Sequence, residues 1–172
     1  MTGSGPDPLV LTLLLDEATQ LRFDGLRRQH FPPERNHLAA HVTVFHALPG
    51  DREDAVLADV ADLAPAAPLP LRVSRVRFLG RGVAYDLEGG EAGALRERLA
   101  ERWRPWLTPQ DRQRWRPHVT VQNKVDAAVA RDLHARLERE FVPAGAEATG
   151  LALWRYRGGP WEPVAERLFV PR

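Results

Sequence analysis

The tetrapeptide His-Val-Thr-Val occurs twice in the chain, at residues 41–44 and 118–121. The two copies start 77 residues apart (118 minus 41), which is close to half of the 172-residue chain. Each copy follows a predicted strand, a helix and a loop rich in helix-breaking residues, and each precedes a predicted helix and strand. A motif that is repeated in a repeated context predicts a duplicated structural unit.

The duplication predicts an α+β fold made of two pseudo-symmetric lobes of the βαβαβ type, within a single domain over residues 1–172. We expect largely antiparallel sheets that face a central cleft. The predicted parts are a flexible leader, a first lobe, a second lobe and a closing strand, at residues 1–8, 9–79, 82–156 and 157–172.

Alternating and apolar runs of residues predict where the strands and helices lie. Strands are expected at residues 9–15, 40–47, 69–79, 82–87, 117–123, 148–156 and 163–170. Helices are expected at residues 16–30, 51–63, 91–106 and 126–141. The segment Gly80-Arg81-Gly82 predicts a hairpin turn between the third and fourth strands.

The composition excludes several kinds of chemistry. The chain has no cysteine, which excludes disulfides, thiolate metal sites and a cysteine nucleophile. Its formal net charge of +1 argues against a general nucleic-acid coat, which needs a strongly basic surface. No apolar run approaches the roughly 18 residues of a membrane-spanning helix, and the leader lacks the basic start of a signal peptide. A cytoplasmic protein is the expectation.

The two motifs place candidate catalytic residues in pairs. Side chains at positions i and i+2 of a strand point to the same side, so His41 projects with Thr43 and His118 projects with Thr120. The valines between them face the core. If the lobes pack about a pseudo-two-fold axis, the two pairs face each other across one cleft, around one substrate.

Two imidazoles and two hydroxyls suit phosphodiester chemistry. A neutral imidazole can act as general base on water or a ribose hydroxyl, and a protonated one can donate a proton to the leaving oxygen. Threonine hydroxyls can donate hydrogen bonds to the non-bridging phosphate oxygens. This chemistry needs no cofactor and no metal ion. The near-symmetric repeat leaves open which of His41 and His118 is the acid and which is the base.

The pair of motifs, with the order of elements around them, resembles the twin H-x-T/S-x signature of the 2H phosphoesterase superfamily, and more closely its 2′-5′ RNA ligase or RNA cyclic phosphodiesterase branch. The resemblance implies a metal-independent enzyme that opens 2′,3′-cyclic phosphates or acts on 2′-5′ linkages. It implies that the catalytic residues are His41, Thr43, His118 and Thr120. The first motif runs into Phe45-His46-Ala47-Leu48-Pro49-Gly50 instead of the phenylalanine-leucine-glycine turn of many relatives, which indicates a more distant subfamily.

Further residues are predicted to bind the substrate. Residues 98–124 carry seven basic and two acidic side chains, and this local excess leads into the second motif. It is either a solvated surface or a phosphate-binding one. Tryptophans in loops are candidates for stacking on a base, and an aromatic residue shares the strand face of the first pair. The predicted substrate-binding residues are Phe45, Arg112, Arg114, Arg116, Trp115 and Trp161.

His46 is predicted to be either structural or at the end of its strand. It differs from His41 by an odd number of residues, which places the two on opposite faces of a regular strand. No suitably spaced carboxylate pair supports them as metal ligands, so no metal site is predicted.

These features predict a metal-independent phosphodiesterase that hydrolyses 2′,3′-cyclic phosphates of RNA ends or nucleotides. Two alternatives stay open. The same site could act on 2′-5′ linked oligonucleotides or cyclic signalling nucleotides, or the protein could be a non-catalytic module that binds RNA ends or nucleotide phosphates. The expected partner is the RNA end or nucleotide, with no membrane and no obligate protein partner, and the protein is expected to be a monomer.

Overall fold

The computed structural model describes residues 6–172, so residues 1–5 of the predicted leader lie outside the described part of the chain. Within that part there are seven strands and five helices. The strands are β1 (Leu9–Leu15), β2 (Val42–Leu48), β3 (Leu69–Phe78), β4 (Val83–Glu88), β5 (His118–Gln122), β6 (Ala144–Arg155) and β7 (Glu162–Leu168). The helices are α1 (Glu17–His30), α2 (Glu53–Leu63), α3 (Gly90–Trp103), α4 (Pro109–Arg112) and α5 (Ala127–Glu140).

The strands form one antiparallel sheet in the order β2-β1-β6-β3-β4-β5, and β7 pairs with β6. The predicted α+β class and the antiparallel pairing are confirmed. The long strand β6 pairs with β1 along one edge, and with β3 and then β7 along the other. The sheet therefore divides at β6 into two parts, one with β1, β2 and β7 and the other with β3, β4 and β5. Each part contains strands from both halves of the sequence. The assignment of residues to two sequential lobes stays a prediction.

Strands β2 and β5, which carry the two repeated motifs, stand at opposite ends of the strand order, yet they contact each other. The sheet is therefore curved so that its two ends approach, as twisted antiparallel sheets commonly are. Helix α1 packs against β5, although it leads towards β2 in the chain. Both motifs are brought to one place by this curvature.

The pairing of β1 with β2 is irregular at two points. Leu13 lies opposite Val42, but Leu11 lies opposite Phe45, so β2 has one more residue than β1 between these pairs. Such an extra residue is a β-bulge, and it changes which side chains of the strand share a face. The bulge decides how the residues after the first motif are placed.

The core is one apolar cluster between the sheet and the helices, and its largest fully buried side chain is Trp103, at the end of α3. The indole N–H of Trp103 donates a hydrogen bond of 2.9 Å to Asp59 on α2. Helix α3 ends at Trp103 and passes into a 3₁₀ turn over Arg104–Trp106, because Pro105 has no N–H for an α-helical hydrogen bond, so α3 is shorter than the predicted 91–106. At the predicted hairpin between β3 and β4, Gly80 has a φ of 88°, a conformation that favours glycine.

Candidate active site

Each motif presents its histidine and threonine on the same side of the chain. His41 lies directly before β2 with Thr43 in the strand, and His118 begins β5 with Thr120 two residues further on. All four are partly exposed, whereas the valines of both motifs are buried in the core: Val42, Val44, Val119 and Val121. The predicted alternation is present within both motifs.

Each motif accepts one long-range hydrogen bond from a side chain of another segment. The indole N–H of Trp115, from the loop before β5, donates to the carbonyl of Thr43 at 2.8 Å. The guanidinium of the buried Arg27, on α1, donates to the carbonyl of Thr120 at 2.9 Å. The second of these bonds holds the helix that follows β1 against the second motif. Strands β2 and β5 also contact each other directly.

Both motif histidines are anchored in the same way. Nδ1 of His41 is 2.8 Å from the carbonyl oxygen of Ala39, and Nδ1 of His118 is 2.7 Å from that of Arg116. A carbonyl oxygen only accepts hydrogen bonds, so Nδ1 carries the hydrogen in both rings. In the neutral form of each ring Nε2 therefore carries the lone pair, and it is the nitrogen available to a substrate.

Burial lowers the pKa of His41 to about 4, because the charged ring loses its hydration. The hydrogen bond to Ala39 opposes this shift, while the positive charges of Arg27 and of protonated His118 add to it. His41 is therefore neutral at pH 7 and ready to accept a proton. Its pKa responds to the charge of His118, which agrees with the placing of both rings in one site.

Burial also lowers the pKa of His118, and the bond to the Arg116 carbonyl opposes the shift. Among the charges, Arg77 lowers this pKa and the carboxylate of Asp86 raises it. Asp86 lies directly opposite His118 in the pairing of β4 with β5, and its oxygens are 2.7 Å from guanidinium nitrogens of both Arg75 and Arg77. The sequence motifs did not reveal Asp86, because nothing local to it indicates which residue it faces across the strands.

The predicted substrate-binding tryptophans both lie next to a motif. The Trp161 ring is 4.8 Å from the His41 ring, centre to centre, and 6.2 Å from that of Trp154. Trp115 is tied to Thr43 by the hydrogen bond described above and also packs against the core. Among the described residues, the Trp161 indole makes no such hydrogen bond to a backbone carbonyl, and its ring lies beside His41. The ring of Trp161 is therefore better placed than that of Trp115 to stack on a base.

The three predicted arginines are distributed over two neighbouring grooves. Arg114 and Arg116 line a cavity of about 630 Å³ between the loop before β5 and the start of α3. Arg112 lines a second cavity of about 660 Å³, again with Arg114, and it donates to the carbonyl of Arg104. The structure brings Arg114 and Arg116 together beside the second motif and places Arg112 at the end of α4, in the second cavity.

The prediction that Phe45 lines the cleft is wrong. Its side chain is 0% exposed, and its ring lies edge-on to that of Trp103 at 5.1 Å, with the Arg96 guanidinium carbon 4.5 Å from the ring centre. The physical reason is the β-bulge, which turns Phe45 to the core face that Val42 also occupies.

The same bulge explains why the prediction that His46 lies on the face opposite His41, made from their odd spacing, is wrong. With Phe45 in the core, the next residue of β2 points away from the core, to the side of Thr43. The His46 side chain is 41% exposed, and its Nδ1 is 3.1 Å from the buried carboxylate of Asp111. Periodicity alone did not identify this histidine as a neighbour of the site.

Within residues 6–172, no helix is long and apolar enough to cross a membrane. In the same described part of the chain, no group of three or more histidine, cysteine, aspartate or glutamate side chains is arranged to hold a metal ion.

A curved antiparallel α+β sheet that brings two histidine-threonine pairs together defines the class of the 2H phosphoesterases. A family model described as the 2′-5′ RNA ligase superfamily matches residues 15–160, and the chain belongs to that superfamily. Membership supports a phosphoesterase- or ligase-type activity. No curated protein sequence matches the chain significantly.

Solved structures resemble the chain over nearly its whole length. E. coli LigT complexed with NADP⁺ is 17% identical with a TM-score of 0.59, covering 97% of this chain and 99% of LigT. E. coli LigT complexed with 3′-AMP is 18% identical with a TM-score of 0.59 and the same coverage. The protein TT0787 of Thermus thermophilus is 16% identical with a TM-score of 0.61, covering 96% and 99% of the two chains. At these identities the likeness establishes the fold.

Proposed function

We propose that the protein hydrolyses 2′,3′-cyclic phosphates of RNA ends or nucleotides without a metal ion, with His41 and His118 as the proton-transfer pair. One observation carries the proposal. Both imidazoles are anchored through Nδ1 to a carbonyl of their own segment, so that both offer Nε2 to a substrate between contacting strands. With one ring neutral and the other protonated, this arrangement supplies one proton acceptor and one proton donor for a single phosphodiester.

The burial of His41 supports it as the base, and the carboxylate of Asp86 opposite His118 supports His118 as the acid. Arg27 disfavours a proton on His41, whose pKa of about 4 keeps the ring neutral at pH 7. Burial and the charge of Arg77 lower the pKa of His118, whereas the carboxylate of Asp86 opposes them, and a bound phosphate anion favours the protonated ring. The neighbouring charges therefore remove the near-symmetry that the two identical motifs have in the sequence.

The reaction then proceeds by attack of water on phosphorus. Nε2 of His41 accepts the proton of the water as the new P–O bond forms. The bond from phosphorus to one ribose oxygen breaks, and Nε2–H of His118 donates its proton to that oxygen, which leaves a phosphomonoester. The hydroxyls of Thr43 and Thr120 donate hydrogen bonds to the non-bridging oxygens as negative charge develops on them.

The surroundings of the site support an RNA end or nucleotide as substrate. Trp161, beside His41, offers a ring on which a base can stack. Arg114 and Arg116, in the cavity next to the second motif, offer donors for phosphate oxygens beyond the cyclic phosphate. A cytoplasmic location and a monomeric state remain predictions that accompany this function.

The test is hydrolysis of a 2′,3′-cyclic nucleotide in the presence of excess chelator. Removal of either proton-transfer group costs about 10²- to 10⁴-fold in rate, so we expect losses of this size in His41→Ala and in His118→Ala. His134→Ala, on α5, is the matched control and keeps the wild-type rate. Full activity in either motif variant, or complete loss of activity with chelator, refutes the proposal. Tight binding of the cyclic phosphate without product favours the non-catalytic module.

A further inference from the structure

His46 and Asp111 form a hydrogen-bonded pair next to the motif residues that the proposed mechanism does not use. Asp111 belongs to the four-residue helix α4, 65 positions further along the chain, and its side chain is fully buried. Its carboxylate accepts the backbone N–H of His46 at 2.8 Å and that of Ala47 at 3.0 Å. These two bonds fasten the end of β2 to the loop that leads into the second motif.

The same carboxylate orients the His46 ring. An ionised carboxylate only accepts hydrogen bonds, so Nδ1 carries the hydrogen in the 3.1 Å contact with Asp111. Burial raises the pKa of Asp111, but the hydrogen bonds from His46 and Ala47 bring it below its ordinary value, so the group is ionised at pH 7. Nε2 of His46 is therefore the ring nitrogen left to face outward, as in His41 and His118.

His46 differs from the two motif histidines in the charge of the group that binds its Nδ1. His41 and His118 are anchored to neutral carbonyls, whereas His46 is anchored to a carboxylate. When the His46 ring is protonated, the buried negative charge behind it balances the positive charge, and Nε2–H becomes a charge-assisted donor. The charge of Arg96 also interacts with Asp111, but Arg96 donates its hydrogen bond to the backbone carbonyl of Asp111, and the carboxylate accepts from His46 and Ala47.

The position of His46 along β2 indicates which part of a substrate it can reach. It lies three residues beyond Thr43, which is at most about 10 Å along the strand because the bulge lies between them. Its charge lowers the pKa values of both His41 and His118, so it remains close to the site. An anion held by His46 is therefore next to the scissile phosphate rather than identical with it.

We propose that His46, oriented by Asp111, binds a second phosphate of the substrate, one nucleotide away from the cyclic phosphate. The inference rests on the proposed function and narrows the substrate class to RNA ends that have an internal phosphate beside the terminal one. His46 is then a substrate-binding residue, and Asp111 is a positioning residue that acts through it.

The experiment compares two substrates, a mononucleoside 2′,3′-cyclic phosphate and a dinucleotide that ends in a 2′,3′-cyclic phosphate. A hydrogen bond to a charged group is worth about 1.5–3 kcal/mol, so His46→Gln raises the KM of the dinucleotide by about 10-fold or more. The KM of the mononucleotide and both kcat values change by less than about twofold. Asp111→Asn raises the same KM selectively. His134→Gln, a histidine 3.9 Å from Glu138 on α5, changes neither KM.

Three outcomes would overturn the inference and leave the proposed function unaffected. His46→Gln could change the KM of both substrates equally, change neither KM, or lower only kcat. If the wild type hydrolyses neither substrate, the proposed function fails by itself. His46 is then tested by calorimetric binding of a dinucleotide ending in a 3′-monophosphate. Binding that is about 10-fold weaker in His46→Gln supports the second phosphate site, and equal binding refutes it. The same comparison decides the matter if Asp111→Asn does not fold.

Discussion

Replacement of Phe45 by alanine tests the most consequential local feature of the structure, the bulge in β2. The Phe45 ring is 0% exposed, contacts Trp103 edge-on at 5.1 Å and lies below the Arg96 guanidinium at 4.5 Å. Loss of a fully buried phenylalanine with such partners costs about 3–5 kcal/mol, part of it from the aromatic pair and the cation–π contact. We therefore expect the free energy of unfolding to fall by about this amount.

The assay is urea unfolding followed by circular dichroism, with kcat and KM measured on the folded variant. The matched control is Phe78→Ala, because Phe78 is 37% exposed at the end of β3, and we expect a loss of less than about 1 kcal/mol there. A loss below about 1 kcal/mol in Phe45→Ala, together with a large rise in KM, would show that Phe45 faces the substrate and that the bulge is misplaced. If Phe45→Ala leaves too little folded protein, Phe45→Leu gives the same comparison with a smaller loss.

Three further predictions concern pH and charge. Because burial lowers the pKa of His41 to about 4, the acid limb of kcat/KM should lie near pH 4, and a limb near the ordinary value of 6.5 would contradict the assignment of His41 as base. Burial lowers the pKa of His118 too, so the unfolded chain binds more protons than the folded one below pH 6.5. The urea midpoint should then fall as the pH drops from 6.5 towards 4, and a constant midpoint would argue against buried rings. Joint replacement of Arg114 and Arg116 by alanine should weaken the binding of a cyclic-phosphate oligonucleotide and make that binding less dependent on salt. Titrations of the oligonucleotide at several salt concentrations measure both effects. The kcat on a cyclic mononucleotide should not change.

Much of the fold could be predicted because its signals are local. The alternation in both motifs places four valines in the core and leaves the histidines and threonines on the other face, as observed. The glycines of the β3–β4 turn and the proline that ends α3 also act within a few residues. Local sterics and the period of the strand are sufficient for each of these.

The errors near the site have one common cause. Parity along β2 assigned Phe45 to the cleft and His46 to the opposite face, and both assignments assumed a regular strand. The bulge arises from the register between β1 and β2, which depends on how two separate segments pack. No pattern within either segment reveals it.

By itself the sequence determined the α+β class, the antiparallel strands and the two histidine-threonine pairs, because side-chain period and repetition are properties of the chain. Only the tertiary structure decided the strand order with β6 between β1 and β3, the carboxylate of Asp86 opposite His118, and the support of His46 by Asp111. These features join residues far apart in the chain. Their electrostatic effects depend on distance and burial, which exist only after the sheet has curved and closed around the site.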